Sequence, residues 1–169
     1  MLEEEKERCR AIGELVEDEF AALFPNTYEA TKSQNMFEHW DRAVIFFMGT
    51  PQQVTKKFEI KGLKSIIRHD ESTNENIQWV ELMLDGRAGW LFGEADYFAF
   101  EQINSFIVVT KAALQKFIID KVKDLRIVHT PELYRFYCRP RKNEKTVLIK
   151  TSDLLDIKDS ILPKKKACK

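Results

Sequence analysis

Residues 40–62, WDRAVIFFMGTPQQVTKKFEIKG, decide how this chain is read. WDRAVIFF is rich in aromatic and β-branched residues, Gly49-Thr50-Pro51 has the composition of a turn, and VTKKFEIKG is a second extended run, so the stretch is predicted to be a β-hairpin. Side chains alternate along a strand. Phe58 and Ile60 are therefore assigned to the core, while Glu59 and Lys61 share the opposite face. Residue 50 lies midway between Asp41 and Glu59, so a symmetric antiparallel register centred there sets the two acids opposite each other. Facing carboxylates repel unless a cation lies between them. Phosphodiester hydrolysis needs such a cation, because a hard divalent ion held by one or two carboxylates polarises the phosphate and activates water. An acid-x-base triplet alone carries no weight in a chain with 27 acidic and 27 basic residues; its opposition to Asp41 is what gives it meaning.

Outward from the hairpin, residues 2–24 place Cys9, Ile12, Val16, Phe20 and Leu23 at three- and four-residue steps and stop at Pro25-Asn26, which predicts an amphipathic helix. Glu29 to Glu38 reads as a polar connection, and RHDESTNEN (68–76) as a mobile loop without apolar anchors. IQWVELML (77–84), DYFAFE (96–101) and SFIVV (105–109) are predicted strands, with DGRAG (85–89) as a turn. Leu114, Phe117, Ile118, Val122 and Leu125 repeat at helical spacing over 111–123, and ELYRFYC (132–138) and KTVLIK (145–150) are late strands. The expected fold class is α/β (α+β), with a central mixed sheet flanked by helices. A single domain is expected over 1–162, with a basic flexible tail over 163–169.

With 169 residues, 44% of them hydrophobic and 32% charged, the chain is long enough to bury one full core beneath a water-facing surface. It contains no apolar run of the roughly 20 residues that span a bilayer, and MLEEEKERCR is too acidic for a signal or transit peptide, so a cytoplasmic location without membrane contact is expected. Cys9, Cys138 and Cys168 are an odd number without paired ligand spacing, which points to reduced thiols rather than disulfides or zinc. The net charge is zero, yet residues 1–50 hold 5 Lys+Arg against 11 Asp+Glu, whereas residues 111–169 hold 16 against 7. That gradient sets an acidic region beside a cationic one suited to a polyanion, although solvated charge on an ordinary domain distributes similarly.

GELVEDEF (13–20), NMFEHWDRAVIF (35–46) and KKFEIKGLKS (56–65), in this order, resemble the PD-(D/E)XK nuclease superfamily, in particular small phage and bacterial members related to Holliday-junction resolvases. The resemblance rests on Gly13 with Glu17 in a Gly-x-x-x-Glu on the first helix, on Asp41 opening a strand, and on Glu59-Ile60-Lys61. It extends through GWLFGEADYFAFE (89–101), spanning roughly residues 10–110, and departs from the pattern where Trp40 stands in place of the proline. It implies a restriction-endonuclease-like core of αβββαβ type with extra strands, and a Mg²⁺-dependent (or Mn²⁺-dependent) endonuclease acting on DNA in recombination or repair. Asp41 and Glu59 would hold the metal, Lys61 would position or deprotonate the attacking water, and Glu17 would support a metal-bound water, with Glu19 on the other flank of the helix as its alternative.

Lys57, Lys64, Arg139 and Arg141 are candidate backbone contacts, each competing with the plainer reading of a surface charge. His39, two positions before Asp41, is a candidate general base but more commonly a packing or hydrogen-bonding residue, Arg87 is a further phosphate-contact candidate, and Glu81 and Asp96 have no sequence argument that brings them to the site. Trp79, Trp90, Tyr97 and Phe98 are stacking candidates but more commonly core residues. A resolvase would act as a homodimer. The competing class is a weakly catalytic nucleic-acid-binding or regulatory module on the same fold, and a third is an interaction protein with no nucleic-acid role.

Overall fold

The computed structural model describes residues 2–64, 74–139 and 142–165, with side chains from residue 7 onward. In chain order the elements are α1 (Leu2–Ala21), β1 (Thr27–Glu29), α2 (Lys32–Glu38), β2 (Arg42–Phe46), β3 (Val54–Lys61), β4 (Ile77–Leu84) and β5 (Arg87–Ala88). A single 3-10 turn (Trp90–Phe92) follows, then β6 (Tyr97–Glu101), β7 (Ser105–Thr110), α3 (Lys111–Lys121), β8 (Ile127–Val128), β9 (Phe136–Tyr137), β10 (Glu144–Lys150), α4 (Thr151–Ile157) and β11 (Ser160–Pro163). Most of the expected run of 111–123 is α3, and IQWVELML is β4 from end to end.

The expectation of one central sheet is corrected. A six-stranded sheet in the order β1-β2-β3-β6-β7-β11 lies beside a five-stranded sheet in the order β5-β4-β10-β9-β8. Both are mixed, since β3 pairs with β6 in parallel and β8 pairs with β9 in parallel, while the remaining pairs are antiparallel. The class is α+β. Two cores follow from strand alternation. Val16 and Phe20 of α1 pack on Val44, Phe58, Ile60, Phe106 and Val108 on one face of the first sheet. Phe98, Phe100, Ile107 and Val109 point to its other face, where they join Val80, Val147 and Ile149 of the second sheet, Leu114 of α3 and Leu154 of α4. β6 and β7 are buried on both faces, which is why their sequences are apolar without interruption.

α2 occupies what the sequence presented as a polar connection. KSQNMFE has no apolar periodicity, but Thr31 caps it: its hydroxyl accepts from the Gln34 amide while the Gln34 side chain accepts from the Thr31 amide. ELYRFYC is mostly not strand. Tyr134 has φ 59° and donates its hydroxyl to Asp153 Oδ2 at 2.5 Å, so the pairing is confined to Phe136–Tyr137. Pro163 pairs with Ser105, and Lys164 bonds Glu101 at 2.6 Å and Glu19 at 2.8 Å, so these two residues belong to the fold rather than to a tail. Lys166 to Lys169, Arg141 and the part of the expected mobile loop from Arg68 to residue 73 lie outside the described residues. Among the described residues no helix is long and apolar enough to cross a membrane, and Cys9 and Cys138 are free thiols.

Candidate active site

The β2–β3 ladder has the predicted register: Arg42 faces Phe58, Ala43 faces Lys57, and the pairing runs to Phe46 with Val54. At Asp41 the strand departs from it. The Asp41 amide donates to the Phe58 carbonyl at 2.8 Å although Arg42 is the ladder partner of Phe58, so two consecutive residues address one. That is the count of a β-bulge, a device that re-aims a side chain at the end of a pairing. Here it turns Asp41 inward. Its Oδ2 accepts from the Ile60 amide at 2.6 Å and its Oδ1 from Asn35 Nδ2 at 2.5 Å, and only 5% of the residue is exposed.

Glu59 is buried to the same 5%, on the face of β3 turned away from α1. Its Oε1 accepts from Lys61 Nζ; its Oε2 is buried and meets no hydrogen-bond donor among the described residues. A buried ionised oxygen without a donor is costly. Burial, with Asp41 adding repulsion against the opposing attraction of Lys61, pushes the Glu59 carboxyl up to about 7. Lys61 is held above its ordinary value: burial works against its charge, but the carboxylates of Glu59, Asp41 and Glu81 outweigh it. Its ammonium also lies 5.0 Å from the centre of the Trp90 ring.

α1 packs on the other face of β3 and sets Glu17 within charge range of Asp41 and, more weakly, of Glu59. Burial and the Asp41 charge raise its carboxyl to about 7, and Arg42, 3.8 Å away, opposes them. Glu19 instead pairs with Lys164, so Glu17 is the helix carboxylate of the site. Gly13 has no steric reason to be glycine, since an added Cβ would meet nothing within 4 Å. The Glu17 and Lys61 side chains keep 20% and 23% exposure.

Several participants have no motif to mark them. Asn35 arrives on α2, and Arg42 binds Asp18 at 2.7 Å and Glu29 at 3.4 Å, tying α1 to β1 next to Asp41. Trp90 is placed by Gly89, whose amide bonds Leu82 O at 2.9 Å and where a Cβ would stand 2.7 Å from the Glu81 carbonyl oxygen. Glu81 itself acts on Glu59 and Lys61 by charge. The Thr31-x-x-Gln34 capping box was the one available signal for α2.

The proposed phosphate contacts are not gathered here. Lys57 lies over Trp40 and pairs with Glu38 at 3.1 Å and Glu94 at 2.8 Å. Arg139 forms a two-pronged pair with Glu144, which draws that carboxyl below its usual range. Lys64 is exposed, with its carbonyl accepting from the Asn74 amide. His39 caps α2 at φ 55°, Asp96 bonds the Lys57 amide, and Trp90 and Phe98 are core. Arg87 stands over the Phe37 ring.

Two carboxylates without histidine or cysteine form a donor set for a hard divalent cation that keeps several waters. Asp41 and the open Glu59 Oε2 fit that role, although among the described residues no three His, Cys, Asp or Glu side chains gather as a ligand group. Comparison with protein-family models, curated proteins and solved structures returns no match to the chain.

Proposed function

We propose that this protein is a metal-dependent endonuclease that hydrolyses phosphodiester bonds in DNA. Its site would be Asp41, Glu59, Lys61 and Glu17 on a restriction-endonuclease-like core, and its place of action the cytoplasm. The observation that carries the reading is the buried Glu59 Oε2 without a donor, next to a second buried carboxylate and a cationic Lys61. Such an oxygen calls for a partner, which a water or a cation can supply; the neighbouring carboxylate charge of Asp41 favours the cation.

Mg²⁺, or Mn²⁺ in its place, would supply phosphate polarisation and an acidified water. Asp41 is held for that task from two sides, by Asn35 and by the Ile60 amide. Lys61, kept protonated by its neighbours, is suited to offset phosphate charge rather than to remove a proton. Glu17, with its carboxyl near 7 and partial exposure, is the better proton acceptor at neutral pH. Bound cation and proton compete for Glu59, so cutting would rise with pH through about 7. Symmetric cutting of a junction would take two copies related by a two-fold axis.

The second reading, a weakly catalytic nucleic-acid-binding module, draws on Asp41, because both of its oxygens already accept N–H groups. A labelled panel of duplex, single strand, flap, four-way junction and RNA, incubated with Mg²⁺, Mn²⁺ or EDTA, separates the two. Metal-dependent cutting lost in Glu59→Ala and Lys61→Ala supports the nuclease. Binding without cutting, or equal cutting by the variants, moves the assignment to the module.

A further inference from the structure

α2 is a helix that its own sequence does not hold in place. Seven residues are too few for a stable helix in water, none of the seven is buried, and Met36 and Phe37 are 53% and 60% exposed. Its ties to the rest of the protein are chiefly polar and gather at its C-terminal end. Glu38 Oε2 accepts from Lys57 Nζ at 3.1 Å and from Trp40 Nε1 at 2.8 Å. The Lys57 ammonium also donates to Glu94 Oε2 at 2.8 Å and lies 5.0 Å from the centre of the Trp40 ring. Lys57 is itself anchored: its amide donates to Asp96 Oδ2 and its carbonyl accepts from the Asp96 amide, both at 2.9 Å. The Glu94 amide donates to the Glu38 carbonyl at 2.6 Å, and Gly93 permits that approach, since a Cβ there would stand 2.6 Å from the same oxygen. One ammonium therefore joins β3, the last residue of α2 and the segment that follows the 3-10 turn.

Both joined elements carry a group of the candidate site. Asn35, three residues before Glu38 on α2, donates to Asp41 Oδ1 at 2.5 Å, and the Trp90 ring of the 3-10 turn lies against the Lys61 ammonium. We propose that Lys57 is a positioning residue: by tying Glu38 to Glu94 it seats α2 so that Asn35 holds Asp41 in the orientation that receives a divalent cation. The inference rests on the metal reading of Asp41 and adds a residue that acts on it from outside the site. Isolated exposed ion pairs do little. This ammonium differs, because its side chain keeps only 29% exposure and serves two carboxylates and an indole at once. The Trp40 and Lys57 hydrogen bonds hold the Glu38 carboxyl below its usual range, so the latch is ionised at neutral pH.

The test uses the full chain. Amide hydrogen exchange in EDTA reads α2 without any metal, through the Asn35 and His39 amides, which bond the Thr31 and Gln34 carbonyls. Lys57→Met, which keeps an apolar stem over Trp40, should speed their exchange roughly 3- to 30-fold and leave the β4 and β10 amides unchanged. Lys57→Arg should restore wild-type protection. Glu94→Gln, at a side chain 60% exposed, repeats the loss from the other side of the latch should Lys57→Met fold poorly. Salt should speed α2 exchange in wild type and not in Lys57→Met. Mn²⁺ titration followed by electron paramagnetic resonance then joins latch to site. Lys57→Met should weaken binding roughly 3- to 30-fold, and in an Asn35→Ala background it should weaken it no further. Unchanged α2 exchange in both Lys57→Met and Glu94→Gln would overturn the latch. So would a Lys57→Met loss that persists in full without Asn35, or a loss of DNA affinity with α2 protection intact, either of which makes Lys57 a direct contact. Faster α2 exchange in a protein that binds no Mn²⁺ removes the metal reading of Asp41 and leaves the latch standing; Mn²⁺ binding that ignores Lys57 does the reverse.

Discussion

Replacing Glu59 by glutamine should stabilise the metal-free protein at alkaline pH. The carboxyl is raised from an ordinary 4.5 to about 7, so the folded protein holds a proton that the unfolded chain has released. Between those two values the native state binds more protons than the unfolded state, and stability falls as pH rises. Below about pH 4.5 Glu59 contributes no penalty; above about pH 7 the full penalty, about 3 kcal/mol, is present. A glutamine side chain at this position would resemble the protonated acid and still offer Lys61 an oxygen, so the variant escapes the penalty. Urea unfolding from pH 5 to 8 reads this directly: the Glu59 contribution should appear as a widening gap, with Glu59→Gln more stable by up to about 3 kcal/mol at pH 8. Mg²⁺ at ten times its Kd should return about 1.4 kcal/mol to wild type and nothing to the variant. A variant less stable than wild type at pH 8, or a gap independent of pH, would refute the reasoning, because it would mean that the buried oxygen is already satisfied.

Asn35→Ala removes a donor to Asp41 Oδ1 and should lower Mn²⁺ affinity about 10- to 100-fold, as titration followed by electron paramagnetic resonance would show. Gly89→Ala should destabilise by about 1–3 kcal/mol in urea unfolding, since its Cβ would meet the Glu81 backbone at 2.7–2.8 Å, and should disturb Trp90 emission through the shifted 3-10 turn. Gly13→Ala, in an open position inside α1, should stabilise by about 0.5–1 kcal/mol without changing metal affinity.

The hairpin was the most legible part of the chain because its information is local. Alternation assigned Phe58 and Ile60 to the core, where they pack on α1, and the turn composition set a register that holds from Arg42 to Phe46. Asp41 itself lies one step outside that logic: its bulge depends on an amide bond that no residue pattern announces. Burial of Glu59 was equally hidden, since it needs the rest of the fold to close over that face of β3. α1 was readable by its period, but among its described side chains only Val16 and Phe20 are buried, and Ile12 and Leu15 stay exposed at 51% and 65%. α4 and β11 escaped because seven and four residues are too short to show a period. Lys57 and Arg139 illustrate the remaining difficulty: a basic residue in a promising stretch is consumed when folding brings Glu38, Glu94 or Glu144 to it.

The central claim is that Asp41 and Glu59 jointly hold a divalent cation, and calorimetric titration of Mg²⁺ into wild type, Asp41→Asn and Glu59→Gln at pH 7.5 tests it most directly. The account predicts saturable binding by wild type with a fraction of a proton released to the buffer, because at this pH the Glu59 carboxyl, raised to about 7, is still partly protonated and ionises fully as the ion enters. It also predicts loss of that binding in both variants. Absence of binding by wild type at millimolar Mg²⁺, or undiminished binding by either variant, would contradict it.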